Sequence, residues 1–390
     1  MKICGIIAEY NPFHLGHLRH IDYVKTTLNA EKVVVIMSGN FSQRGEPAVL
    51  NKFTRAKHAI LSGADAVIEL PSVFATANAE IFATGAVKIL DQLNIVDGIC
   101  FGAESGNCED FTSLAKILVN ETKDFKKTLK EKMESGISLA KAKFLTVKQL
   151  YGDKYDENLL NLPNNILGLE YTKAILKLNS KMQIYPMLRE GDHNDKTLKK
   201  GVTSATSIRH YLSMNKKGKI RKNVPPYVYK DLTIPPFAFE NMILSKIITT
   251  PAEQMKNILD CTEGLENRIK ALLKDSLTLD ELIEKVTTKR YTETRIRRIL
   301  IANLLGISEK LVFNCLDEPL YAKVLAVNEN SKDIISLMAK NSSIPILTRK
   351  SDDLTLKKTA QKCFEIDQIA NDLYNLATRQ KENEHQMLII

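Results

Sequence analysis

Two histidines flank a glycine where the first apolar run of the chain gives way to its first helical run. This junction limits the fold more than any other feature. Ile3-Cys4-Gly5-Ile6-Ile7-Ala8 reads as a buried strand. A polar turn over residues 9–13 follows, then His14-Leu15-Gly16-His17, then Leu18, Ile21, Tyr23, Val24 and Leu28 at roughly helical spacing. A helix that starts there aims amide donors and the positive end of its dipole at whatever lies in front of it. A phosphate suits that position, and Gly16 lets a ligand approach the backbone closely.

The alternation continues beyond this point. Residues 32–37, 66–70 and 95–101 read as further buried strands, with helices over 52–62 and 79–92 between them. That order predicts a parallel sheet covered on both faces, an α/β Rossmann-like doubly wound fold. Ligands bind such sheets at the carboxyl ends of the strands, where the strand order reverses. Residues 181–187 are expected to form a fifth strand, and 109–160 a charged, helical insertion. From about residue 236 helical patterns dominate, at 265–274, 278–286, 292–304 and 355–378, with one apolar segment, 322–328, of strand character. The division expected is a catalytic domain over 1–212 and a mainly helical, basic domain over 213–390. The polar tail after Thr378 is expected to be loose.

Composition excludes several classes. No run approaches the ~18 apolar residues of a membrane span. The chain enters a strand at once, without a signal-peptide pattern. The six cysteines are scattered, with no Cys-x-x-Cys pair, so neither a disulfide frame nor a zinc site is expected. Together these point to a cytoplasmic protein. The net charge is +9, and residues 196–230 hold ten basic residues and no acidic one. Such a block suits a polyanion longer than a nucleotide, or a solvated linker. Within it Lys216, Lys217, Lys219, Arg221 and Lys222 are candidate RNA contacts, as is a second cluster, Lys289, Arg290, Arg295, Arg297 and Arg298. Tyr211, Tyr227 and Tyr229 interleave with the block as stacking or core residues. Lys52, Arg55 and Lys57 read as the wet face of a helix, and Gln43, Arg44 and Glu46 lie after the second strand.

The His-x-Gly-His pattern resembles the signature of the nucleotidyltransferase superfamily, whose histidines contact the phosphates of ATP. Thr203-Ser204-Ala205-Thr206-Ser207-Ile208-Arg209 resembles the later motif of that superfamily, which grips the β- and γ-phosphates. Hydroxyls and amides at a helix start, with an arginine fork, are suited to that task; an ordinary helix cap is the other reading. The two motifs lie about 190 residues apart in the expected order. Longer stretches carry a closer resemblance: residues 5–17, Met37-Ser38-Gly39-Asn40-Phe41-Ser42-Gln43-Arg44-Gly45-Glu46-Pro47-Ala48, Phe101-Gly102-Ala103-Glu104 and Asn164-Asn165-Ile166-Leu167-Gly168-Leu169-Glu170-Tyr171 are similar to the bacterial tRNA(Met) cytidine acetate ligases.

That resemblance implies a two-step reaction. Acetate attacks the α-phosphate of ATP to give acetyl-adenylate, and the acetyl group then passes to the wobble cytidine of elongator tRNA(Met). His14 and His17 would stabilise the five-coordinate phosphorus. The ATP contacts implied are Ile7, Ala8, Glu9, Tyr10, Asn11, Pro12, Phe13, His14, Leu15, Gly16, His17, Leu18, Arg19 and His20, with Gly102, Asn165, Arg189, Ser204, Ser207 and Arg209. Magnesium would accompany ATP, although no carboxylate cluster marks a metal site of the protein's own. Two other functions share these motifs: a small-molecule adenylyltransferase of the NAD or coenzyme A precursor type, and a non-catalytic ATP- and RNA-binding module.

Overall fold

The computed structural model describes residues 2–137, 139–189, 204–232 and 238–390. Lys196, Lys199 and Lys200 of the basic block, and Thr203 of the second motif, lie outside these residues.

The apolar runs form the strands β1 (Ile3–Ala8), β2 (Lys32–Ser38), β3 (Ala66–Leu70), β4 (Gly98–Ala103) and β5 (Gln183–Leu188). They lie side by side in the order β5-β4-β1-β2-β3, all parallel. The order reverses between β1 and β4, and the His14–His17 turn leaves the carboxyl end of β1 at that point. Successive side chains of β2 alternate between two cores. Val34 and Ile36 enter one core with Phe82, Ile99 and Leu169. Val33, Val35 and Met37 enter the other with Ile21, Phe53 and Ile208. Burial on both faces explains why these strands read as continuous apolar runs. Pro186 falls in the edge strand β5, where a missing donor is tolerated.

The sheet does not stop at residue 212. β6 (Ala322–Val327) pairs antiparallel with β3, and both β7 (Ile346–Leu347) and β8 (Leu388–Ile389) pair with β6. The sheet therefore runs across the boundary expected between a catalytic and a helical domain. One apolar core likewise runs from Ile3 to Ala377. The helices after residue 238 close over the sheet rather than forming a structure apart from it.

The tail after Thr378 is docked, not loose. Glu384 is buried and accepts from Lys52 Nζ at 2.7 Å and from Lys323. Glu69, on β3, accepts from Lys52 at 2.7 Å and from Lys323 at 3.0 Å. Two cations and two carboxylates thus share one dry site. Burial pulls the Lys52 pKa down, but Glu384 and Glu69 outweigh it and the net shift is upward. Burial pushes Glu69 up, but Lys323 and Lys52 hold it below the usual carboxylate range.

The reading of Lys52 and Arg55 as a wet face is corrected here. Both are buried, Arg55 completely. Arg55 donates to the carbonyls of Leu50 (2.9 Å), Glu9 (2.6 Å), Ser38 (3.1 Å) and Gly39. It thereby ties together the backbone that leaves the carboxyl ends of β1 and β2. Lys57 remains on the surface.

Glu384→Gln leaves two lysines facing Glu69 alone and should cost about 3–5 kcal/mol, read as a lower urea midpoint. Lys323→Met combined with Glu384→Met keeps one cation against one carboxylate and should cost far less. Equal losses would count against the cluster as what holds the tail.

Candidate functional site

His14 ends the turn in extended conformation and caps the helix Leu15–Thr26. Its Nδ1 accepts from the Gly16 amide at 3.0 Å, and the His17 Nδ1 accepts from the His14 amide at 3.3 Å. An imidazole that accepts at Nδ1 while neutral carries its proton on Nε2. Both rings are thus fixed as Nε2–H donors, stacked at 3.7 Å. Tyr10, held in the left-handed region at φ 49°, packs its ring 4.8 Å from His17 on another side. Left-handed backbone is uncommon for a bulky residue and marks a strained, specified turn.

One expectation for this helix start fails. The first four amides already have acceptors: Leu15 donates to the Asn223 carbonyl, Gly16 to His14 Nδ1, and His17 and Leu18 to the His14 carbonyl. This end turns the His17 ring and the helix dipole toward the adjoining cavity, not bare amides.

A cavity of about 530 Å³ opens beside this turn. From the first segment Ile7, Ala8, Glu9, Tyr10, Asn11, Gly16, His17 and His20 line it, with Gly102, Arg189 and Arg209 from farther along the chain. The other expected contacts lie elsewhere. Pro12, Phe13 and His14 are buried behind the wall; Leu15 and Leu18 are half-buried on the helix, and Arg19 is exposed. Asn165 faces the interior: its Oδ1 accepts from the Glu104 and Ser105 amides, and its Nδ2 donates to Ser105 Oγ and the Asn158 carbonyl. Its neighbour Asn164 lines the cavity instead and accepts from Arg189 Nη1 at 3.1 Å. Ser204 caps the helix Ala205–Ser213, accepting from the Ser207 amide, while the Ser207 hydroxyl donates to the Ser204 carbonyl. Ala205 and Thr206, which open that helix, line the cavity in their place.

Four arginines line this space: Arg44, Arg189, Arg209 and Arg298. Arg189 lays its stem across Gly102, where a β-carbon would sit 2.6 Å from Arg189 Cδ. The bareness of Gly102 therefore accommodates Arg189 and not a ligand ring alone. Arg209 donates to the Asn11 carbonyl at 2.8 Å, and its Nε stands 4.0 Å from Glu46. Burial lowers the pKa of both arginines, which marks the wall as dry enough to strengthen their pull on an anion. Arg298 comes from the helix Glu293–Leu305, together with Thr294.

Arg298 was expected among RNA contacts, and its cluster is largely committed inside the protein. Arg295 donates to the Asp260 carbonyl and Thr262 hydroxyl, and Arg297 pairs with Glu293 and Asp280. Lys289 and Arg290 are exposed, Arg290 in a pair with Glu263. In the other block Lys216, Lys219, Arg221 and Lys222 are exposed, while Lys217 donates to the Leu232 carbonyl and sits 4.9 Å from the Tyr229 ring centre. Tyr227 bonds Ser62 and, like Tyr211 and Tyr229, packs against the core.

Gln43 and Arg44 also line the cavity. Their loop turns at Gly45 (φ 74°) and touches the Arg297–Arg298 backbone so closely that a β-carbon would lie 2.4 Å from it. Among the wall residues that the motifs did not announce are Ala79, Phe82, Thr294 and Met187. Nothing local marks them; only the fold gathers them.

The HIGH nucleotidyl transferase family model matches residues 1–387. A tRNA(Met) cytidine acetate ligase of Acetivibrio thermocellus is 38% identical, the match covering 96% of this chain and 94% of that one. A tRNA(Met) cytidine acetate ligase of Clostridium novyi is 39% identical, over 93% of this chain and 94% of that one. The chain belongs to the tRNA(Met) cytidine acetate ligase family. Crystal structures of the Thermotoga maritima member, TmcAL, superpose over all of both chains at 29% identity, with TM-scores of 0.93 for the apo form and 0.90 for the form bound with α-thio ATP. The acetate ligase fold thus includes the C-terminal strands and helices along with the nucleotidyltransferase sheet.

His20 supplies a test of the cavity wall. Burial, with the Arg189 charge adding to it, lowers its pKa from 6.5 to about 4, and its Nε2 lies 3.2 Å from Cys100 Sγ. Between those two pH values the unfolded chain takes up a proton that the native state refuses. The stabilising contribution is therefore complete above pH 6.5 and is lost as pH falls toward 4. His20→Gln should make the loss of urea stability between pH 7 and pH 5 shallower than in the unsubstituted protein; identical slopes would contradict the assignment.

Proposed function

We propose that this protein joins acetate to the wobble cytidine of elongator tRNA(Met) at the expense of ATP, forming N4-acetylcytidine. The observation that carries the proposal is the cavity at the end of β1, bounded by His17, Arg189 and Arg209, in a chain aligned along its length with acetate ligases. The α-thio ATP complex of the Thermotoga maritima relative supports ATP as the nucleotide.

In the first step a carboxylate oxygen of acetate bonds to the α-phosphorus, the bond to the bridging oxygen breaks, and pyrophosphate leaves. Negative charge grows on the equatorial oxygens. A fixed Nε2–H donor at His17 meets that charge without reorganising, the kind of stabilisation worth several kcal/mol. His14 contributes by keeping the His17 ring in place. Arg209 and the start of the helix Ala205–Ser213 are suited to the departing pyrophosphate, with magnesium accompanying the phosphates. In the second step the cytidine N4 attacks the acetyl carbonyl, releasing AMP and a proton. The exposed Lys216, Lys219, Arg221 and Lys222 follow a helix that opens on the cavity, and Asn223 caps the first helix through Leu15. A tRNA backbone held there would reach the site, and its affinity would fall with salt.

Incubation with labelled acetate, ATP and bulk bacterial tRNA, followed by digestion to nucleosides, should yield labelled N4-acetylcytidine; its absence sinks the proposal. His17→Ala should slow acetyl-adenylate formation about 100-fold or more while tRNA binding persists. Pyrophosphate release driven by a nucleotide or pantetheine substrate without tRNA would favour an adenylyltransferase instead, and ATP binding with no turnover a regulatory module.

A further inference from the structure

The strand order gives the cavity an axis. Gly102 and Arg189, at the ends of β4 and β5, mark one end, and the His17 turn after β1 lies next to them. The far end is built after β2 and β3, by Gln43 and by Ala79 and Phe82 of the helix Ala79–Gln92. Arg298 enters the wall at this far end, since it also borders Thr76 and Ala77, the residues leading into that helix. Gln43 bonds the same segment, donating from Nε2 to the Ala77 carbonyl.

The Arg298 Nε–H is buried and meets no acceptor among the described residues. A guanidinium is a planar fork of donors, and a buried donor without a partner is a standing cost. Burial lowers its pKa, with Asp260 opposing and Arg295 adding to the shift. Of the neighbouring wall, Ala79 and Phe82 are apolar, while Gln43, Arg44 and Thr294 are polar. A ligand that completes this corner is short, has a planar anionic head and ends in an apolar group.

We propose that Arg298 binds the carboxylate of the acid substrate, with Phe82 closing the space behind its methyl group. This rests on the ligase reading above and names the subsite for its acyl donor. Two anions must meet in the first step, the carboxylate and the α-phosphate. A cation on the side away from the pyrophosphate offsets their repulsion and sets the direction of attack. One P–O bond forms, one breaks, and no proton moves. In this arrangement His17 and Arg209, which also line the cavity, serve the phosphates, and Arg298 serves the acid.

The test is acetate-dependent exchange of labelled pyrophosphate into ATP, with ATP binding titrated separately by calorimetry. Arg298→Met should raise the KM for acetate about tenfold or more and leave the Kd for ATP within about twofold. Arg298→Lys, which keeps the charge but loses the fork, should fall between. Phe82→Ala should let propionate or butyrate support exchange that the unsubstituted protein supports poorly. An unchanged acetate KM in both Arg298 variants overturns the inference, as does loss of ATP binding in both. An unsubstituted protein that binds ATP but shows no acetate-dependent exchange removes the ligase reading itself, and this inference with it.

Discussion

One short helix, Lys52–Leu61, carries two cations that never meet water, and the rest of the molecule is arranged around them. Arg55 gathers carbonyls from the segments leaving β1 and β2, so the rim that carries the His14–His17 turn is fixed by a side chain from a different element. Lys52, one turn earlier, reaches the opposite way and meets Glu69 and Glu384. A buried cation without its acceptors is intolerable in a dry interior. The rim of the site and the docking of the last residues are therefore conditions on the same helix.

That coupling explains where the chain was legible and where it was not. β1, β2 and β3 can be read almost to the residue, because a strand covered on both faces must be apolar throughout. The apolar segment ending in β6 is readable as a strand, but nothing local says that its partner is β3, some 250 residues earlier. Lys52 and Arg55 look like a wet helical face, since side-chain type carries no record of an acceptor as distant as Glu384. The tail looked loose for the same reason: Glu384 and the β8 pairing acquire meaning only once Lys323 stands opposite.

The site divides along similar lines. The His-x-Gly-His junction was legible because its chemistry and its geometry come from one contiguous stretch. Its details were not. The amides expected to face a phosphate are consumed in building the turn, and of the two imidazoles it is His17 that lines the cavity. Asn165 and Ser204 prove to be the braces for Asn164 and Thr206, one or two residues away, which do line the cavity. A motif marks a neighbourhood, and packing decides which member of it faces in. Arg298 is the extreme case: read as part of a basic surface, it belongs to the cavity because the helical region folds back over the sheet.

Gly45 sets the clearance at this roof. Its α-carbon rests against the peptide joining Arg297 to Arg298, with no room for even a methyl group between them. Any side chain there would act as a shim, lifting the Gln43–Arg44 loop from the helix that carries Arg298. The seating of the helix that carries Arg298 is thus gauged by a residue outside the cavity, through the hydrogen atom it carries in place of a side chain.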